Sequence, residues 1–151
     1  MITDEQWEII KQMAEDGVKI LNLESWSIDY EEDTSLQKSN YDAITHIARN
    51  EGRYLKARIS FNSDIFNDIK NSEDIDSIHI LVMHELLHIF FNDSEEFIDK
   101  LIAISKLSND SKELLRSWYD SLHERDIQKL SKIVLFNEVG KTEIVDYRSD
   151  K

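Results

Sequence analysis

Trp7, Ile10, Met13, Val18 and Leu21 recur at helical spacing behind Thr3 and Gln6, a pair with the form of a capping box, and they predict a helix over about 4–21. Trp26-Ser27-Ile28-Asp29-Tyr30 then alternates apolar and polar, as a half-buried strand does, before an acidic, polar loop at 31–40. Further strands are expected at 42–48 and 54–61, joined by Asn50-Glu51-Gly52-Arg53 as a hairpin turn in which Gly52 supplies positive φ. Asn71 or Ser72 caps a strongly apolar helix that runs to about Phe91. Asn92-Asp93-Ser94 breaks the chain and opens another helix over about 95–107, and Ser108 to Ser111 marks a further break. Leu115, Trp118 and Leu122 resume helical spacing, but the phase shifts at Ile127, Leu130 and Val134, which predicts two helices or one kinked near 121–125. The order of elements predicts an α+β domain over 1–137. It comprises an N-terminal helix, a small sheet of about three strands (antiparallel or mixed), the apolar central helix and C-terminal helices. Residues 138–151 read as a polar tail with a short strand at 142–147.

Charge narrows the classes of partner. The chain has 151 residues, 18 basic and 31 acidic, for a net charge of −13, so nucleic acid and anionic membrane surfaces are repelled rather than bound. No cysteine is present, which excludes a disulfide framework, a thiolate metal site and a cysteine nucleophile. Met1 is followed directly by Ile-Thr-Asp-Glu-Gln without the basic and apolar regions of a secretory leader, and the apolar run is too short and too polar at its centre to span a bilayer. A cytoplasmic location, in a bacterium or a phage-infected host cell, is therefore expected. The bias toward Ile, Lys, Asn, Asp and Glu, with no proline, points the same way, to an AT-rich genome.

The chemistry is concentrated at Ile80-Leu-Val-Met-His-Glu-Leu-Leu-His-Ile-Phe-Phe91, where His84, Glu85 and His88 are the only polar side chains. Two histidines four apart lie one above the other on a helix face, where both rings reach a single ion, while the intervening Glu85 points to the adjacent flank. Burying three such groups among apolar ones is costly unless something satisfies them, and a divalent metal does so. A zinc site of this kind takes a third protein ligand and leaves a position open. Glu95, near the buried face of the next helix as defined by Phe97, Ile98, Leu101 and Ile102, is the first candidate, with Glu96 and His123 as alternatives. Asp99, one turn beyond Glu95, is placed to accept the free N–H of a ligating imidazole. His79 and His46 read as structural, and Tyr119, Tyr147 and Arg58 are possible oxyanion stabilisers between which the sequence does not choose.

His-Glu-Leu-Leu-His followed by Glu-Glu-Phe-Ile-Asp-Lys-Leu resembles the gluzincin class of zinc metallopeptidases, in the form of short phage and prophage metallopeptidases. The likeness covers residues 75–107 closely and the preceding strands only in architecture. It implies a minimal zincin-like fold, one Zn2+ per chain held by His84, His88 and Glu95, Glu85 as general base toward a metal-bound water, and Asp99 supporting a ligand. It also implies peptide-bond hydrolysis, with a peptide or protein substrate paired along a cleft-edge strand, for which 54–61 is the candidate. The offset of seven residues from His88 to Glu95 is shorter than in the large gluzincins, and Asn92 and Asp93 would make the turn in place of a glycine. The alternative is a non-catalytic, metal-binding phage or prophage accessory protein that acts by protein–protein interaction.

Overall fold

A computed structural model describes residues 1–48, 55–67, 69 and 72–149, with the side chains of 72–74 and 136–149 left aside. The chain is α+β, with four helices around a three-stranded mixed sheet among the described residues. Helix α1 (Asp4–Ile20) begins at the expected capping box, in which Thr3 accepts from the Gln6 amide and the Gln6 side chain accepts from Thr3 N–H at 2.9 Å. Its inward face is Ile10, Ala14, Gly17 and Leu21, spaced four, three and four apart.

Strands β1 (Ser27–Asp33), β2 (Ala43–Ala48) and β3 (Lys56–Asn62) form a sheet in the order β1-β3-β2. β1 runs parallel to β3 and β2 antiparallel to it. The strand expected at 54–61 is therefore the centre of the sheet, hydrogen-bonded on both sides, and β1 and β2 are the edges among the described residues. The expected turn at Asn50–Arg53 lies outside the described residues. Register puts Ala43, Thr45 and Ile47 of β2 beside Phe61, Ile59 and Ala57 of β3, so these side chains share the face that meets the helices. The acidic loop expected at 31–40 is in part strand, since β1 continues to Asp33, and in part a 3-10 turn over Thr34–Lys38 capped by the Asp33 carboxylate.

Helix α2 (Ser72–Phe90) is the centre of the core. Ile78, Val82, Met83, Leu86, Leu87 and Ile89 are all buried, with α1, α4 and β2 packed against the helix. A helix surrounded in this way is apolar nearly all round, which is why its few polar residues stand out in the sequence. α1 crosses it at Gly17, where a Cβ would stand 2.5 Å from Leu86 Cδ1 and 3.4 Å from Met83 Cε. Gly17→Ala should therefore destabilise the fold. The overpacking cost of about 1–3 kcal/mol exceeds the helix-propensity gain of about 1 kcal/mol. Chemical denaturation would measure the difference, and a rise in midpoint would mean that Leu86 moves aside freely.

Helix α3 (Asn92–Ile104) follows after a single residue, Phe91, with φ −90° and ψ 1°. The break expected at Asn92–Ser94 is thus its first turn, and Phe91 turns the chain in an ordinary right-handed conformation; Asn92 and Asp93 contribute no left-handed geometry. The inward positions of α3 are Glu95, Ile98 and Ile102, whereas Phe97 and Leu101, expected on that face, are exposed. Residues 109–149 form one helix, α4 (Asn109–Ser149), so 121–125 separates no two helices and 142–147 is helical rather than a strand. No helix among the described residues is long and apolar enough to cross a membrane.

Candidate metal centre

Helices α2, α3 and α4 meet at the motif. His84 and His88 rise from α2 with their Nε2 atoms 3.2 Å apart and their rings edge to face. Glu124 of α4 closes the third side, with Oε2 3.2 Å from His84 Nε2 and Oε1 3.2 Å from His88 Nε2. A tetrahedral ion with bonds of about 2.0–2.1 Å holds its ligand atoms about 3.3 Å from one another, and this triangle has that size.

The outer nitrogens decide what the inner ones offer. His84 Nδ1 lies 3.0 Å from Gln128 Oε1, an amide oxygen that only accepts, and a neutral ring that donates Nδ1–H to it presents a lone pair at Nε2. His88 Nδ1 faces Glu95 Oε1 at 3.5 Å, another acceptor, and its Nε2 is placed in the same way. Two imidazole nitrogens and a carboxylate thus converge on one point, an arrangement that a cation stabilises. The site residues therefore fit a divalent metal, and they can hold one through His84, His88 and Glu124.

Glu95 is part of the cluster in another capacity. Its Oε1 lies 2.5 Å from His123 Nε2, and with His88 these groups form a second set that could bind an ion. The pairing is that of an imidazole hydrogen-bonded to a carboxylate, and it is closer than two ligands on one metal stand. The carboxylate sits in the first turn of α3, half-buried. Burial alone would raise its pKa, but hydrogen bonds and charge from His88 and His123 lower it below the ordinary Glu value. The same balance acts on His88. Burial pulls its pKa down, but the Glu95 hydrogen bond and the charges of Glu124, Glu85 and Glu95 together raise it above the usual imidazole range.

Glu85 points to the flank as expected and is only 4% exposed. Thr45 Oγ1 donates to Glu85 Oε2 at 2.7 Å, which ties one oxygen of the carboxylate to edge strand β2. A cleft of about 240 Å³ runs between β2 and α2, with Tyr41, Ile44 and Ile47 on the strand side and His84, Glu85, His88 and Glu124 on the helix side. The strand along the cleft is thus β2 (Ala43–Ala48), not the one expected at 54–61.

The other candidates lie elsewhere. Glu96 pairs with Lys100 at 2.6 Å and is in neither cluster. Asp99 Oδ1 lies 3.9 Å from Arg116 Nε, so the acid assigned to support an imidazole meets a guanidinium instead. Arg58 pairs with Glu31 at 3.6 Å, on the sheet face opposite Ile59, and His46 is exposed on that same face. Tyr119 stacks on His123 rather than standing over the cleft, and Tyr147 lies outside the residues whose side chains are described. His79 is outside the cluster, with its pKa lowered by burial against the opposing charges of Asp16 and Asp76. Sequence reading missed Glu124 and Gln128. Their signal was a spacing of four, which places both on the α4 face that also carries Ile127 and Ser131 toward the core. Comparison of the chain with family models, with curated proteins and with solved structures finds no match.

Proposed function

We propose that this protein is a zinc-dependent metallopeptidase acting on peptide or protein substrates. The observation that carries the reading is the triangle of His84, His88 and Glu124, which adjoins a buried glutamate in an open cleft. Among available divalent ions, two imidazoles and a carboxylate favour zinc, one per chain. Bound there, the ion supplies Lewis-acid activation of water and of a scissile carbonyl.

The chain's own residues do the remaining work. Glu85, held through one oxygen by Thr45, keeps the other free to take a proton from the attacking water and pass it to the leaving amine. Gln128 and Glu95 hold the two imidazoles from behind, so that both Nε2 atoms stay turned toward the ion. The free edge of β2 offers backbone donors and acceptors to an extended chain lying in the cleft, and Ile44 and Ile47 offer it apolar contact.

A second reading, a metal-binding module that acts by gripping another protein, draws support from Phe97, Leu101 and Ile104 on α3 and Trp118 and Leu122 on α4. All five are exposed and apolar. Purified full-length protein separates the two. Elemental analysis should find about one zinc per chain, lost on the double substitution His84→Ala/His88→Ala, and incubation with unfolded protein substrates should release new peptides by mass spectrometry. Zinc without any cleavage would favour the module. Stoichiometric zinc in the double variant would overturn the site itself.

A further inference from the structure

His88 is gripped from both sides by neighbouring residues of one helix. Glu124 stands at its Nε2, and the preceding residue, His123, reaches its Nδ1 through Glu95. His123 is itself fixed. Its ring stacks on Tyr119, one helical turn earlier, with planes 12° apart and centroids at 5.3 Å. The ring of Phe91, the single residue between α2 and α3, meets it edge-on at 5.7 Å. His123 is 15% exposed and the Glu95 side chain 26%, so the pair is sheltered enough for its hydrogen bond to hold against water.

We propose that His123 and Glu95 form a positioning relay for His88, in which the clamped imidazole of His123 holds the Glu95 carboxylate against His88 and thereby fixes which nitrogen of His88 the metal meets. The inference rests on the metal reading of the His84–His88–Glu124 triangle and adds to it a role for His123, which lies outside that triangle and meets the His88 ring edge-on with centroids 6.0 Å apart. His123 donates Nε2–H to Glu95 Oε1, and that oxygen keeps a second lone pair for His88 Nδ1–H. With its own proton held outward, His88 can turn only Nε2 toward His84 and Glu124. The two ligating histidines are thus supported unequally. His84 leans on the neutral amide of Gln128, whereas His88 leans on a carboxylate that is locked in turn by a second imidazole. An anionic partner enriches the imidazole lone pair more than an amide does, so His88 becomes the stronger of the two donors. A second ion at His88, Glu95 and His123 would account for the same cluster; the 2.5 Å contact, closer than two ligands of one metal stand, favours the hydrogen bond, and the metal count per chain decides between them.

Full-length protein stripped of metal and titrated with Zn2+ against a chromogenic chelator, and with Co2+ by visible absorption, tests the relay. Glu95→Gln keeps the shape and removes the charge, and His123→Phe keeps the stack on Tyr119 and removes the donor. Each should lower Zn2+ affinity by about 10–100-fold, while the Co2+ band positions of the intact ligand set persist. Because His123→Phe also keeps an aromatic ring against His88, the cycle isolates the path through Glu95, and the double variant should bind as the Glu95→Gln variant does, a fully non-additive cycle. His123→Gln, which restores an N–H donor, should recover part of the loss and covers the case of a poorly folded His123→Phe protein. Additive losses, unchanged affinity in both His123 variants, or two Co2+ per chain would overturn the relay while leaving the triangle intact. A wild-type chain that binds neither ion would overturn the metal reading as well.

Discussion

Glu124→Ala is expected to weaken zinc binding by far more than 100-fold, and so to exceed the loss from Glu95→Ala, which should fall within the range of about 10–100-fold typical of an orienting partner. The ordering follows from which atoms face each other. Both Glu124 oxygens lie 3.2 Å from an imidazole Nε2, one on each histidine, whereas Glu95 stands behind His88 at the nitrogen that carries the proton. Removing Glu124 takes the only carboxylate from the triangle and leaves two neutral donors for a divalent cation. Glu124 is 56% exposed, so its loss opens no cavity and the fold should survive, which makes the zinc measurement clean. Glu96→Ala, at a side chain that pairs with Lys100 and belongs to neither cluster, should leave the affinity unchanged. If Glu95→Ala proves the more damaging change, α3 rather than α4 supplies the third ligand.

Glu85→Gln should leave the zinc in place and reduce hydrolysis by about 10²–10⁴-fold, the range a positioned general base contributes. The amide retains an acceptor for the Thr45 hydroxyl, so the bond across to β2 survives and the side chain stays where it is. It loses the capacity to carry a proton from water to a leaving amine. Metal analysis and a peptide-release assay on the same preparation would check both halves. Zinc lost together with activity would mean that Glu85 is itself a ligand. Unchanged turnover would remove it from the chemistry.

The elements were legible where one face is buried and the other wet. The capping box at Thr3 and Gln6, the three strands and the apolar helix all follow from period and punctuation. The inward face of α1 was read through Trp7, Ile10, Met13, Val18 and Leu21, of which Ile10 and Leu21 are buried and the other three pack partly against the core, while Ala14 and Gly17, buried between them, are small residues that carry no weight in a hydrophobic count. α4 misled for the opposite reason. In its first half the inward positions are Lys112, Arg116, Tyr119 and His123, polar because they serve the cluster and its surroundings, while Leu115, Trp118 and Leu122 face out. From Ile127 onward the inward positions are mainly apolar again, with Leu130 and Val134, so one helix with a single face looked like two out of phase. His84, Glu85 and His88 could be read because their spacing is local. Glu124 could not, because its meeting with them depends on how α4 crosses α2, which is information of the tertiary structure.

The triangle also has a topological consequence. Glu124 is 36 positions beyond His88 (124 − 88), so an ion shared between them closes a chain loop of that length with all of α3 inside it. Such a cross-link acts on the unfolded chain as much as on the folded one, since it removes the closure entropy of the loop in the manner of a disulfide, here in a protein that has no cysteine. The ion then becomes a reversible rivet. With zinc as that ion, the holding energy of α3 and the start of α4 would rise as RT ln(1 + [Zn]/Kd), and the metal supply of the surroundings would set how firmly this half of the molecule is fastened to the rest.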